Sequence, residues 1–201
     1  MSISANDVKA LRERTGAGMM DCKKALIECE GEVEKAIDWL RTKGLAKAAK
    51  RAGRSTAQGL IHSYIHTGGK IGVLLELNCE SDFVARTDDF NKLAHELCVH
   101  IAASNPLFVD RERVDQQVLE HEREIARAQA LESGKPANVV EKMVEGRMGK
   151  WLAEVCLVDQ PFVKDPDKKV GDLLAEAFAK MGEAMSIRRF VRWQIGESLP
   201  E

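Results

Sequence analysis

Apolar residues recur along this chain in two rhythms, one helical and one strand-like, and the switches between them mark its elements. Near the N-terminus Val8 and Leu11 form the apolar side of a first helix, and Ser4 with Asp7 three residues on reads as its cap. Gly16-Ala17-Gly18 breaks that helix. Cys22, Ala25, Leu26 and Cys29 then fall at i, i+3, i+4, i+7, and Glu30-Gly31 ends the run. Val33, Ala36, Ile37 and Leu40 repeat the spacing, with Gly44 placed as a C-terminal stop. Three helices of this size close a minimal bundle of marginal stability. Lys43, Lys47, Lys50, Arg51 and Arg54 follow among alanines with no acid between them, which predicts a linker helix that Gly53 ends.

The strand rhythm comes next. Leu60 to Thr67 alternates, Gly68-Gly69 is a two-residue turn signal, and Ile71, Val73, Leu75 and Leu77 alternate on the return, predicting a hairpin. Phe90, Leu93, Ala94, Leu97, Cys98 and Ile101 mark an amphipathic helix that Asn105-Pro106 terminates. A highly charged helix over roughly 111–132 has a thin apolar seam of Val114, Val118, Ile125 and Ala128. Ser133-Gly134-Lys135-Pro136 turns the chain, and Val140, Val144 and Trp151 continue on a second helix. Two narrow-seamed helices joined by a short turn predict an antiparallel coiled-coil hairpin at about 111–151. Gln160 to Lys169 reads as loop. Val170, Leu173, Leu174, Ala177, Phe178 and Met181 form another helix, stopped by Gly182. A last strand runs from Ala184 to Ile195, with Ile187, Val191, Trp193 and Ile195 on one face. The expected architecture is α+β: a three-helix domain over 1–44, a basic linker over 45–54, and a core over 55–201. That core holds a three-stranded, mostly antiparallel sheet with covering helices.

Composition narrows the class. Apolar residues make up 44% of the 201, enough for an ordinary core, and aromatics only 5%, so the core is aliphatic. No apolar run approaches the roughly 18 residues that a membrane span needs. Met1 to Asp7 lacks the basic start and apolar stretch of a signal peptide. Five scattered cysteines without a Cys-x-x-Cys pair read as reduced thiols of a cytoplasmic protein. The net charge of −2 is unevenly spread: residues 1–54 carry 12 Lys/Arg against 8 Asp/Glu, and the remainder 18 against 24. A mildly basic head on an acidic body points to a charged partner for the head. It falls well short of a nucleic-acid-binding composition.

Little in the chain suggests catalysis. His62 and His66 lie on a predicted strand, where four residues span roughly 13 Å, too far for one metal ion. His95, His100 and His121 read as helix-surface or interface residues. Neither G-x-x-x-x-G-K-[ST] nor G-x-G-x-x-G occurs, and no strand precedes Gly16-Ala17-Gly18, which reads as a helix–helix turn. No enzyme activity, metal or cofactor is expected. The basic stretch 43–54 has no interleaved aromatics, so a solvated linker is favoured over an RNA contact. One segment stands apart, Asn78-Cys79-Glu80-Ser81-Asp82-Phe83-Val84-Ala85, which sets a phenylalanine beside an acid in a short connection. Phe83 either tucks into the local core or probes a partner, and the residues alone leave both readings open.

Several segments carry a family resemblance. Leu11-Arg12-Glu13-Arg14-Thr15-Gly16-Ala17-Gly18-Met19-Met20-Asp21-Cys22-Lys23-Lys24-Ala25-Leu26 closely resembles the N-terminal signature of the elongation factor Ts family. Asn78 to Ala85 resembles its second signature. Ser133-Gly134-Lys135-Pro136 continuing through Glu141-Lys142-Met143-Val144-Glu145-Gly146-Arg147-Met148 resembles a third, and Gln160-Pro161-Phe162-Val163 a fourth. The motifs keep family order and span nearly the whole chain. The resemblance implies an N-terminal domain similar to ubiquitin-associated domains and a guanine-nucleotide exchange function on elongation factor Tu, supporting translation elongation. It implies that Arg12, Met19 and Met20 dock the head onto the GTPase, and that Ser81, Asp82, Phe83 and Val84 form a wedge disturbing its Mg²⁺ and phosphate site. Ser81 departs from the family threonine but keeps the hydroxyl. The chain has one core copy where longer relatives have two, and short forms are expected to pair as homodimers.

Overall fold

A computed structural model describes residues 3–51 and 56–198, with the backbone alone for 45–51. The N-terminal helices are α1 (Ala5–Thr15), α2 (Met19–Glu28) and α3 (Val33–Arg51). Ser4 caps α1 reciprocally: its Oγ accepts the Asp7 N–H at 3.2 Å while the Asp7 carboxylate accepts the Ser4 N–H at 3.0 Å. Gly16 ends α1 in the left-handed region, at φ 67°, and donates its N–H to the Arg12 carbonyl. Val8, Leu11, Cys22, Ala25, Leu26 and Ala36 form the buried centre of this bundle, with Val33, Ile37 and Leu40 half-buried around it.

Gly44 is not a stop. Helix α3 runs straight through it to Arg51. Gly44 is buried, and a Cβ there would meet the Ala179 Cβ of a neighbouring helix at 3.5 Å, an ordinary packing contact. The Arg41 guanidinium adds a bond to Asp172 on that same helix at 3.2 Å. The expected end of the linker at Gly53 and the side chains of Lys47, Lys50, Arg51 and Arg54 lie outside the described residues.

Strands β1 (Gln58–Ile65) and β2 (Ile71–Cys79) form the expected hairpin. Its closing bond runs from the His66 N–H to the Ile71 carbonyl, so Gly68 and Gly69, both at positive φ, sit within a four-residue loop rather than a two-residue one. After β2 come α4 (Asp82–Ala85), α5 (Asp88–Ser104), the pair α6 (Gln116–Leu131) and α7 (Ala137–Val155), short strands β3 (Pro161–Phe162) and β4 (Asp165–Lys169), α8 (Val170–Met181) and β5 (Met185–Gln194). The main sheet is antiparallel in the order β1-β2-β5, and the architecture is α+β. The stretch 160–169 read as loop holds a two-stranded ladder, Pro161 opposite Lys169 and Phe162 opposite Asp165. Its strands are too short and too charged to show alternation.

By contact density the chain divides into two compact units. One gathers Met1–Tyr64, Leu74–Cys98 and Gly171–Val191; the other gathers Ile65–Val73, Val99–Val170 and Arg192–Glu201. In the first, Leu75, Leu77 and Cys79 of β2 and Phe90, Leu93, Ala94, Leu97 and Cys98 of α5 are buried, as their spacing predicts. In the second, α6 and α7 pack through Ala126, Ala130, Val140, Val144 and Met148, with Leu119 and Trp151 at the margin. Small alanines let the helices approach closely, so the seam runs along Leu119, Ala126 and Ala130 while Val118, Ile125 and Ala128 are exposed. The helical pair also starts later than residue 111. Asp110 caps a separate turn at Arg111–Arg113, and Asp115 opens α6 by accepting the Gln117 N–H at 2.7 Å. On β5 Ile187 is buried, but Trp193 is 63% exposed and Ile195, just past the strand's end, is 73% exposed, so the expected face is not a core face along its length.

Candidate functional site

Beyond Cys79 the chain turns through Glu80 and Ser81 into the four-residue helix α4. Ser81 is extended, at φ −127° and ψ 156°, and its Oγ accepts the Val84 N–H at 3.4 Å as an N-cap. Glu183 grips the same residue from the segment before β5. Its carboxylate accepts the Ser81 N–H at 2.9 Å and the Ser81 hydroxyl at 2.5 Å. The arrangement is reciprocal, because Glu80 Oε1 accepts the Ala184 N–H at 2.8 Å. The Cys79 thiol donates to the Ser81 carbonyl at 3.1 Å; burial, reinforced by the Glu183 carboxylate, raises its pKa and keeps it an unreactive thiol. Thr87 closes the far end by donating its hydroxyl to the Val84 carbonyl at 2.8 Å and accepting the Phe90 N–H at 3.3 Å.

This held turn separates two phenylalanines. Phe90 is fully buried, whereas Phe83 is 80% exposed, the most exposed of the large apolar side chains described. A phenylalanine in that position contributes nothing to a core. Asp82 and Val84 are half-buried beside it, and Asp82 pairs with the exposed Arg86 at 2.9 Å. Such a surface ion pair contributes little to stability.

Arg12, Met19 and Met20 occupy separate elements of the same unit. Arg12 is exposed on the last turn of α1, and Met19 and Met20 open α2 at 44% and 74% exposure. The turn between those helices is anchored from inside. Thr15 Oγ donates to the Leu11 carbonyl at 2.8 Å and accepts the Ala17 N–H at 3.3 Å, and the Cys22 thiol donates to the Ala17 carbonyl at 3.6 Å. With Ala17 buried, the two methionines that follow are left outside.

The histidines behave differently from one another. His62 meets His95 edge-on, 5.6 Å between ring centres, and burial, followed by the His95 charge, lowers its pKa. Among the described residues no group of three or more His, Cys, Asp or Glu is placed to hold a metal ion. His121 is exposed, but His100, expected as a helix-surface or interface residue, is fully buried. Its Nδ1 accepts the Val163 N–H at 3.2 Å, so the proton sits on Nε2, which donates to Gln160 Oε1 at 2.9 Å. The Gln160 amide in turn donates to the carbonyls of Glu154 at 2.6 Å and Ser104 at 3.4 Å. Burial lowers the His100 pKa, and the Gln160 bond opposes that shift. The signal was present in the sequence, since His100 lies seven residues past Leu93 and three past Leu97, inside the apolar stripe. Glu183 had no such signal; an acid after a helix-stopping glycine is ordinary.

No described helix is long and apolar enough to cross a membrane. The profile of the family described as Elongation factor TS matches residues 10–197. The chain is 60% identical over 197 residues to the elongation factor Ts of Syntrophomonas wolfei, covering 98% of this chain and 92% of that protein. It is 60% identical to the Moorella thermoacetica protein, with 98% and 97% covered, and 61% identical to that of Carboxydothermus hydrogenoformans, with 98% and 91% covered. Identity at this level over nearly the full length of each relative takes in the two motif segments just described, and on that ground the chain belongs to the elongation factor Ts family.

Proposed function

We propose that this chain is a guanine-nucleotide exchange factor for elongation factor Tu, without chemistry of its own, that supports translation elongation. In this reading residues 1–44 are a docking head that applies Arg12, Met19 and Met20 to the GTPase. Residues 45–54 are a basic linker, and residues 55–201 form the core that carries the wedge. Asp82 and Phe83, flanked by Ser81 and Val84, enter the GTPase and disturb its Mg²⁺ and phosphate site. The observation that carries the reading is Phe83, 80% exposed on a turn pinned from both ends.

The thermodynamics are those of linkage. A factor that binds the empty GTPase more tightly than the nucleotide-bound one weakens nucleotide binding by the same ratio. Burying a phenylalanine contributes roughly 1.5–3 kcal/mol, equivalent to about one to two powers of ten in affinity. Phe83 therefore supplies part of the coupling, and lost Mg²⁺ and phosphate contacts supply the rest. The test is release of a fluorescent GDP from elongation factor Tu with catalytic amounts of this protein. Many-fold acceleration with turnover is expected, and Phe83→Ala is expected to lower it by about one to two powers of ten while leaving the fold intact. Equal calorimetric affinity for the empty and GDP-bound GTPase would instead indicate an adaptor.

The same reading has two copies associate as a homodimer. Supporting it, the second unit leaves the large apolar side chains of Ile65, Trp193 and Ile195 exposed to solvent. Light scattering over a concentration series should give twice the mass of one chain, and Trp193→Glu should return it to one.

A further inference from the structure

We propose that Glu183 is the positioning residue of the wedge, setting the direction in which Phe83 points; the inference rests on the wedge reading of Asp82 and Phe83 given above. A serine hydroxyl has one proton to donate and two lone pairs. In the turn after β2, Ser81 Oγ must accept the Val84 N–H to cap α4, and it does so at 3.4 Å. That requires its proton to be directed elsewhere. Glu183 Oε1, 2.5 Å from the hydroxyl, accepts its hydrogen bond and so fixes the rotor with a lone pair toward Val84. Its second oxygen takes the Ser81 N–H at 2.9 Å, so one side chain fixes both the backbone and the side-chain orientation of the residue two positions before Phe83.

The anchor is itself held. Glu183 stands between Gly182, which ends α8 at φ 78°, and Ala184, whose N–H is bound by Glu80 at 2.8 Å. Because β2 and β5 are neighbours in the sheet, the two carboxylates cross-link the ends of adjacent strands. Charge-assisted bonds of this kind are short and strong, and two from one carboxylate define an orientation as well as a distance. Helix α4 has only four residues and fully buries no side chain, so its own length and packing do little to orient Phe83. Thr87 ties the far end to the Val84 carbonyl, and the Ser81 end, which precedes Phe83, is the one held by a charged side chain. An exposed aromatic held in one direction loses less freedom on entering a partner than one that must first be ordered.

A clamp on the wedge has a kinetic signature distinct from that of a general structural role. Docking through Arg12, Met19 and Met20 lies on other elements, so losing the Glu183 clamp should lower the maximal exchange rate and leave the half-saturating GTPase concentration within twofold. Glu183→Ala is expected to lower the maximal rate of GDP release by about tenfold, from the loss of two charge-assisted bonds. Ser81→Ala, which keeps the N–H bond, should lower it by about threefold. In a Phe83→Ala background the same Glu183→Ala change should alter the rate by less than twofold, because the clamp acts through a side chain no longer there. Circular dichroism and urea unfolding check each variant, and Glu183→Gln, which keeps shape and removes charge, replaces Glu183→Ala if that protein is unfolded. Full exchange activity in the folded Glu183 variant, with Phe83→Ala slow, overturns the proposal and leaves the wedge standing. So does an equal loss with and without Phe83. A normal rate for Phe83→Ala alone removes the wedge reading itself.

Discussion

The connection after β2 and the connection after α7 are built alike and place their phenylalanines oppositely. In each, a polar side chain distant in sequence grips the backbone of a short motif. Glu183 accepts from the N–H and hydroxyl of Ser81, and His100 accepts from the N–H of Val163 while donating to Gln160. One motif then exposes Phe83, and the other buries Phe162, which is 5% exposed with its ring 5.8 Å from that of His100. The difference teaches what each aromatic is for. Phe162 contributes apolar area to the fold, whereas Phe83 costs solvation and returns nothing until something else covers it.

The contrast can be broken most directly by truncating both rings. Phe162→Ala should cost about 3–5 kcal/mol of unfolding free energy, and Phe83→Ala less than about 0.5 kcal/mol, read from urea titrations. Similar losses at the two positions would mean that Phe83 also serves the fold. Next in size is Gln160→Leu, which strips the partner from His100 Nε2 and from the carbonyls of Glu154 and Ser104. A loss of about 1–3 kcal/mol is expected, since buried polar groups are left unpaired. A near-neutral result would show that the second clamp is dispensable.

The His100 clamp should also respond to pH. His100 has its folded pKa lowered from 6.5 by burial. Below 6.5 the unfolded chain therefore binds protons that the folded chain resists, so stability is full above that value and falls as pH drops toward the folded pKa. Comparing urea midpoints between about pH 7.5 and about pH 5.5 should show a larger loss for the native chain than for His100→Asn, which cannot titrate. Equal losses would place the pH dependence elsewhere. The smallest effect is expected from Ser81→Thr. Threonine keeps the oxygen that caps Val84 and reaches Glu183, so stability should move by less than about 0.5 kcal/mol, with GDP release unchanged. A clear loss would show that the added methyl clashes within the turn.

Local rules account for what was legible in the chain. The Ser4–Asp7 capping box, the Gly16 helix end, the buried stripe from Phe90 to Ile101 and the β1–β2 hairpin all rest on contacts within a few residues, or on one face of one element. The motif segments around Met19 and Phe83 were legible for a different reason, as strings that match a family. Where two elements meet, local rules misled. Gly44 looked like a stop because a glycine's freedom is visible in sequence while the Ala179 methyl opposite it is not. The apolar spacing gives the charged helix a seam of Val114, Val118, Ile125 and Ala128, yet the packing against α7 selects Ala126 and Ala130.

By itself, then, the sequence determined the principal helices, the β1–β2 hairpin, the Ser4 cap and the family, since each follows from backbone propensity, apolar period or motif. Only the tertiary structure decided that Phe83 faces water while Phe90 and Phe162 do not, that His100 is a buried neutral link, and that Glu183 holds Ser81 across 102 residues of chain. The physical reason is that burial and hydrogen bonding are properties of pairs. A side chain's environment is set by whatever the fold brings against it, and one residue's neighbours in sequence do not include those partners.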